Sequence, residues 1–427
     1  MRQKGWIGST PKHIIGVLDI GTSKIVCLIA AMDTAPRLPL PGAGPGLRVI
    51  GVGHQKSRGV KGGVITDLDE AEQATRAAIA QAERMAGVML DSVHVSVTCG
   101  RLKSHNFTAT TDVESGVVSD DDIRRVFAAG QSYAEREGRM LLHLNEVGLR
   151  LDGTPGEQDP RGMAARKLSA DLHAVTADEA PLRNLLLVIE RCYLSARSLC
   201  PAPYASALAA TSEEERRLGV IGVDIGGGTT TLSMFAEGRF LYAHTAPWGG
   251  NHVTFDIARS LHTPLVEAER IKALYGTVVS AQSDEHDTFS YPAAGEEEGA
   301  VRHMTRAELA EITRPRLRIM TDHIREGIES CEFASFANRC IVLTGGASEL
   351  TGIADFVANE LGRPVRVGHP QAISGLPPVF SSPAFSAAAG LLLAATPEAA
   401  GRVTYTERTP ASQSYLKQVG TWLREGF

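Results

Sequence analysis

The chain has few cysteines, no long apolar run and no excess of positive charge across its 427 residues. Its six cysteines, at 27, 99, 192, 200, 331 and 340, include no CxxC pair. That argues against a disulfide framework and fits scattered reduced thiols of a cytosolic protein. No run approaches the ~20 apolar residues that a membrane-spanning helix needs. The start, MRQKGWIGSTPKH, is basic but lacks an apolar signal core, so residues 1–13 read as a disordered tail. A net charge of -6 argues against a general nucleic-acid binder. With 43% hydrophobic and 22% charged residues the composition is that of a globular protein. The length allows two or more domains with large cores.

What is present centres on Gly219 to Thr231, GVIGVDIGGGTTT. Val220 to Val223 is an apolar run that reads as a buried strand. It meets Asp224, then Gly226, Gly227 and Gly228, then Thr229, Thr230 and Thr231. Glycines after a strand let the backbone turn sharply and aim several N–H groups at one anion. An aspartate beside a phosphate needs a cation between them. The pattern therefore suits a nucleotide phosphate with Mg2+, the carboxylate holding the metal directly or through water. A lone Gly-rich hairpin reads the same way. A second copy argues against that: Ile14 to Ile25, IIGVLDIGTSKI, leads an apolar run into Asp19, then Gly21, Thr22, Ser23 and Lys24. Both copies continue into strand-like runs, Val26 to Ala31 and Thr231 to Phe235. Self-similarity at so wide a spacing implies a duplicated domain rather than a solenoid. Two facing loops of this kind can grip one nucleotide from both sides.

Along the chain, Asp33 to Gly46 is a Pro- and Gly-rich loop, Leu47 to Val52 a strand, and Ser57 to Ile65 a turn-rich link. Asp67 opens a helix through Ala86 with Leu68, Ala71, Thr75, Ala78, Ile79 and Ala82 on one face. Asp91 to Thr98 alternates valines with polar residues, as a half-buried strand would, which puts His94 outward. Residues of about 90–168 read as an inserted α+β unit: a helix capped by Ser119 through about Glu137, then strands at Met140 to Leu151 and Lys167 to Val175. Helices are expected at Glu179 to Arg191, in Pro247 to Ala258, at Pro264 to Leu274, at Ile353 to Leu361 and at Ser382 to Ala395. Ser280 to Gly299 reads as an acidic, disordered surface excursion. Thr305 and Glu308 form a capping box for a helix that Pro315 starts, kinks or ends. Arg339 to Gly346 reads as a third strand ending in Gly-Gly.

Taken together, VDIGGGTTTL, LDIGTSKI, AERIK and IVLTGGAS resemble the actin-like ATPase superfamily. SRGVKGGVITDLD, the inserted unit and an amphipathic C-terminal stretch make the chain similar to the FtsA family of bacterial cell-division proteins within it. The resemblance implies an α/β fold of two actin-like (ribonuclease H-like) domains around a nucleotide cleft, at 14–212 and 213–395. The first would carry the insert, and the second an outer subdomain of about 252–335. It implies ATP and Mg2+ as ligands. Gly21, Thr22, Ser23 and Lys24 match the first phosphate loop, and Asp224, Gly226, Gly227, Gly228, Thr229 and Thr230 the second. Asp19 and Asp224 match metal-side carboxylates, Gly250 and Asn251 the approach to the ribose. Glu267, Arg270 and Lys272 match the helix flanking adenosine, and Gly345 and Gly346 the adenosine loop. The stretch CPAPYASALAA, Cys200 to Ala210, offers only Tyr204 and Ser206 and no acid, so tight ATP binding with slow hydrolysis is expected. A sugar or acid kinase, or a pilus-assembly actin homologue, are the alternatives. As partners the resemblance implies the C-terminal peptide of the tubulin-like FtsZ on the outer subdomain, with Arg306 and Arg316 as candidate contacts. It also implies self-assembly into filaments, later division proteins at the insert, and a place at the septum on the cytoplasmic face of the inner membrane.

Residues 396–413 are polar, hold Pro397 and Pro410, and read as a flexible tether. In SYLKQVGTWLREGF, Ser414 to Phe427, Tyr415, Leu416, Val419, Trp422, Leu423 and Phe427 share one arc at ~100° per residue. Aromatic residues on the apolar face of so short a helix suit the plane of a membrane surface.

Overall fold

The computed structural model describes residues 13–32, 46–135, 138–155, 159–279, 282–292, 301–333 and 340–396. The expected N-terminal tail, most of the tether and the membrane-targeting helix lie outside them.

The chain opens with β1 (His13–Ile20), β2 (Lys24–Met32) and β3 (Leu47–Lys56), then a small hairpin of β4 (Val60–Lys61) and β5 (Val64–Ile65). Helix α1 (Leu68–Ala86) begins where Asp67 accepts hydrogen bonds from the N–H groups of Asp69 and Glu70, and stops at left-handed Gly87. Its small residues Ala71, Ala74, Ala78 and Ala82 are buried. Gly51 and Gly53 on β3 leave no side chain between that strand and the α1 backbone at Ala78 and Ala82. Strand β6 (Ser92–Val97) follows, and the insert consists of β7 (Lys103–Asp112), α2 (Asp120–Ala134), β8 (Arg139–Leu151), β9 (Thr154–Pro155) and β10 (Lys167–Asp178). Helix α3 (Glu179–Arg191), β11 (Ser195–Pro201), α4 (Ala202–Ala210) and α5 (Glu213–Leu218) lead to the second half.

That half holds β12 (Val220–Ile225), β13 (Thr230–Ala236), β14 (Arg239–Ala246), α6 (Gly250–Leu261) and α7 (Leu265–Tyr275). Then come β15 (Thr288–Pro292), β16 (Val301–Thr305), α8 (Arg306–Glu329), β17 (Ile341–Thr344), α9 (Ile353–Leu361), β18 (Val365–Val367) and α10 (Ser386–Ala394).

The duplication is visible in the sheets. One has the order β3-β2-β1-β6-β11, the other β14-β13-β12-β17-β18. In both, three antiparallel strands are extended by two parallel ones. Asp19 and Asp224 occupy matching places near the ends of the central strands, opposite Val26 and Thr231. One apolar core holds the first sheet and reaches Val220, Phe235, Phe240, Ala243 and Val342 of the second, whose other buried residues build a core of their own. Helices α4 and α10 pack on each other, and α4 touches strands of both sheets.

Four readings change. Strand β6 lies inside its sheet between β1 and β11 and is covered on both faces, so its alternation does not place His94 in solvent. His94 is half-buried and its Nδ1 is 2.7 Å from the Ser198 hydroxyl on β11. The insert's sheet, β7-β10-β8-β9, runs from Lys103 to Asp178. Bounds of about 90–168 would put β6 in the insert and cut β10 in two. Within the stretch expected to be a disordered excursion, residues 282–292 are ordered, because Phe289 and Tyr291 alternate inward and β15 pairs with β16. Finally, α8 passes through Pro315 without ending.

Candidate functional site

Both phosphate-loop candidates open onto one cavity of about 390 Å³ between the two sheets. That size lies within the range of ligand sites, roughly 300–1,000 Å³. The first loop, Gly21 to Lys24, is closed by Gly21 N–H donating to Lys24 O at 3.0 Å. The β4–β5 hairpin braces it: Gly63 N–H donates to Thr22 Oγ1 at 2.9 Å, and Ser57 N–H to Ser23 O at 3.0 Å. This accounts for the SRGVKGGV stretch, which reaches back to the loop. The second loop is closed by Gly226 N–H donating to Thr229 O at 2.9 Å. A side chain on Gly227 would strike Ser23, and one on Gly228 would strike Thr22. The bare backbone of the second loop therefore lies against the Ser23 and Thr22 side chains of the first. Helix α6 starts against the second loop, where Gly250 and Asn251 donate their N–H groups to Gly226 O and Gly227 O at 2.9 and 2.8 Å.

Two carboxylates and one ammonium dominate the electrostatics. Desolvation deep in the cleft raises the Asp19 carboxyl; the Ser96 hydroxyl, which donates to it, and Lys24 pull the other way. Asp224 is pushed up to about 6 by desolvation and by Asp19, against smaller opposing effects of Lys24 and Ser206. Burial lowers the Lys24 ammonium, which Asp19, Asp224 and Glu349 help to keep charged. Lys24 also lies 4.6 Å from the centre of the Phe385 ring. A pocket that disfavours its own negative charge is one that a cation stabilises. Among the described residues no group of three or more His, Cys, Asp or Glu side chains could hold a metal ion. A Mg2+ at Asp19 and Asp224 would thus draw its remaining ligands from water and phosphate, the usual habit of that ion. One more observation fits a polar ligand: Thr231 Oγ1 lines the cavity, is buried and has no hydrogen-bond partner.

Most of the expected residues meet here. Asp19, Gly21, Thr22, Ser23, Lys24, Asp224, Gly226, Gly227, Gly228, Thr229, Gly250, Asn251, Lys272, Gly345 and Gly346 all line the cavity. Three do not. Thr230 is buried behind the loop, its hydroxyl donating to Trp248 O at 2.8 Å. Glu267 and Arg270 pair with each other at 2.5 Å, away from the cavity. The cavity carboxylate of α7 is instead Glu269, which accepts from Lys272 Nζ at 2.7 Å and Thr254 Oγ1 at 2.5 Å. Helix geometry held the signal: Glu269 and Lys272 are three apart and share a face, whereas Glu267 and Glu269 are two positions apart, about 200° of turn. Of the linking stretch, Ser206 approaches Asp224, while Tyr204 is buried among His143, Phe235 and Phe240.

The arginines expected to meet a partner are used inside the domain. Arg316 makes a two-pronged pair with Asp256 at 2.6 and 3.1 Å and lies over Trp248. Arg306 faces Asp284 and Asp287 at 3.7 and 3.4 Å. Both are accordingly poor contacts for an incoming acidic peptide.

Two duplicated sheets around one cleft, each contributing a loop at the same strand end, define an actin-like protein. Solved structures agree on this fold: a chain of a PilM-PilN type IV pilus biogenesis complex has a TM-score of 0.61 at 17% identity, covering 89% of this chain and 97% of that one. MreB5 of Spiroplasma citri bound to ADP has a TM-score of 0.55 at 14% identity, covering 92% and 99%. The profile for cell division protein FtsA matches residues 221–390, and that for the SHS2 domain inserted in FtsA matches residues 99–176. Cell division protein FtsA of Rhizobium meliloti (strain 1021) is 41% identical over 426 residues, 98% of this chain and 96% of the relative. That of Escherichia coli (strain K12) is 29% identical over 430 residues, 99% and 100%. The chain belongs to the FtsA family of cell-division proteins.

Proposed function

We propose that the chain binds ATP with Mg2+ in this cleft, polymerises, and tethers FtsZ filaments to the cytoplasmic face of the inner membrane at the division site. There it helps recruit later division proteins. The observation that carries the reading is the pair of phosphate loops packed against each other, with Asp19 and Asp224 set at matching strand ends beside them. The insert is the surface for self-assembly and later division proteins, and the FtsZ C-terminal peptide docks on the second domain. Full-length similarity to FtsA proteins supports this over the pilus-assembly reading, which rests on fold alone. Hydrolysis is at most slow. Of the carboxylates lining the cavity, Asp19 and Asp224 serve the cation and Glu269 is tied to Lys272 and Thr254. Glu349 is exposed and faces Lys24. Equilibrium binding of ATP in the presence of Mg2+, with wild type and Asp224→Ala, tests the site. Wild type should bind and the variant should lose at least a hundredfold in affinity; equal affinities sink the metal-side assignment. Co-sedimentation with FtsZ, reduced when its C-terminal peptide is removed, tests the partner, and no such reduction excludes it.

A further inference from the structure

The insert belongs to the first domain by chain connection but is fastened to the second by side chains. It leaves and rejoins the first domain at a crossing where Asp178 N–H donates to Gly100 O at 2.6 Å. Asp178 there pairs with both Arg101 and Arg139, and Arg101 is held at a φ of 45°. It also packs on β11 and α3 of the first domain and on β14, the edge strand of the second sheet. Among the described residues no strand pairs with that edge. Polar side chains of the insert occupy it instead: Ala243 N–H donates to Ser104 Oγ at 2.7 Å, and Asn145 Nδ2 donates to Phe240 O at 3.0 Å. Asn106 Nδ2 donates to Leu241 O at 3.4 Å. His173 binds Ser104 and Asn145 and packs edge-on against Phe240.

One member of this seam is badly placed. His143 on β8 is 2% exposed and wedged against Tyr204 and Phe240, and neither ring nitrogen reaches a hydrogen-bond partner. A buried polar group without partners destabilises the arrangement that buries it. The seam is therefore a contact that can part.

The register says what would part it. Strand β14 runs from Arg239, beside the insert, to Ala246, which pairs with Thr230 at the cleft end of β13. At about 3.3 Å per residue, seam and cleft lie roughly 10–20 Å apart on the same strand. Helix α4 passes between them, its Tyr204 in the seam and its Ser206 beside Asp224. A ligand that closes the cleft around the touching phosphate loops tilts the second sheet about this link. The far end of β14 then moves away from an insert anchored on the first domain.

We propose that the insert–β14 seam is a latch that opens as the cleft closes on a nucleotide, freeing the insert to turn about the Gly100–Asp178 crossing. The inference rests on the nucleotide reading above. It makes the insert, the surface offered to other molecules, responsive to the cleft.

The test uses the full chain, with ATP and Mg2+ as probe. Amide exchange at Phe240 to Ala243 should quicken at least tenfold on adding ATP, while the phosphate loops become protected. A second measurement uses Ser104→Cys with Ala243→Cys, at two positions that a hydrogen bond already holds together. Oxidised, this variant should bind ATP at least tenfold more weakly than the same protein reduced, and wild type should not respond to oxidation. His143→Phe, which removes the unpartnered nitrogens, should raise the midpoint of thermal unfolding and weaken ATP binding severalfold. If wild type binds ATP but seam exchange is unchanged and the oxidised and reduced variants bind alike, the latch is overturned while the nucleotide site stands. If wild type binds no ATP, the nucleotide reading falls and takes the latch with it.

Discussion

The residues that sit most uneasily in this fold are titratable ones, and they give it a signed response to pH. Burial pushes His143 down to about 3. His173 is likewise driven well below the ordinary histidine value by burial, with His143 and His105 adding to the effect. Unfolded, both would titrate near pH ~6.5. The unfolded chain thus binds more protons than the fold below that pH. Stability is fully present above about 6.5 and is lost as pH falls through that value toward 3, by about 1 kcal/mol per buried histidine at pH ~5.5. Asp224 has the opposite sign. Its raised value, about 6, lets the fold hold a proton that the unfolded carboxyl has released, which favours the fold as pH drops below 6. Two histidines outweigh one aspartate, so thermal unfolding should come earlier at pH 5.5 than at pH 7.5. His143→Phe should recover about 1 kcal/mol of that loss. An unchanged pH dependence in the variant would show that His143 takes up no proton on unfolding.

At the scale of elements, what was legible in the sequence was whatever local chemistry decides. Helix α1 announces itself through the Asp67 cap, the small-residue stripe and Gly87. The two Asp-Gly turns are equally local, and so is the capping box at Thr305. What failed depends on neighbours. The alternation of β6 predicts one wet face, but strands on both sides and layers above and below remove it. Ser280 to Gly299 looked too polar for structure, yet Phe289 and Tyr291 two apart were enough to bury one face of a two-stranded ribbon. On α7 the family pattern was carried to Glu267 although rotation about the helix puts Glu269 on the cavity side. The turn after β17 shows how strictly one element can be specified. Gly345 has φ 84° and ψ 162°, a region essentially closed to other residues, and its N–H donates to Pro383 O at 3.0 Å. A side chain there would also strike Asp224 and the Ile225 backbone. Gly345→Ala should therefore lower stability by about 1–3 kcal/mol and weaken ATP binding more than tenfold. Chemical denaturation and equilibrium binding check the two effects; a variant as stable and as tight as wild type would show that the turn tolerates a side chain.

For the molecule as a whole, the proposed function ties the cleft to the stretch at 414–427, and affinity arithmetic gives the form of that coupling. No described helix is long and apolar enough to cross a membrane. The sequence of 414–427, which lies outside the described residues, gathers Tyr415, Leu416, Val419, Trp422, Leu423 and Phe427 on one arc, with Lys417 and Arg424 set against Glu425. With charge nearly balanced, attraction to anionic lipid is modest, and apolar burial must supply the binding. Each large side chain contributes at most ~1.5–3 kcal/mol, less at a wet interface. Part of that is consumed in ordering a helix too short to be stable alone in water. One copy should therefore bind a membrane weakly and reversibly. A filament whose assembly depends on nucleotide would hold many copies against one surface and make each later contact effectively intramolecular. Lipid binding should then rise with ATP and with protein concentration. Trp422→Glu, or removal of residues after Gln413, should abolish co-sedimentation with vesicles of bacterial lipid while leaving ATP affinity as in wild type. Co-sedimentation that survives both changes would exclude this stretch as the anchor; loss of ATP binding in either would mean that it belongs to the folded core instead.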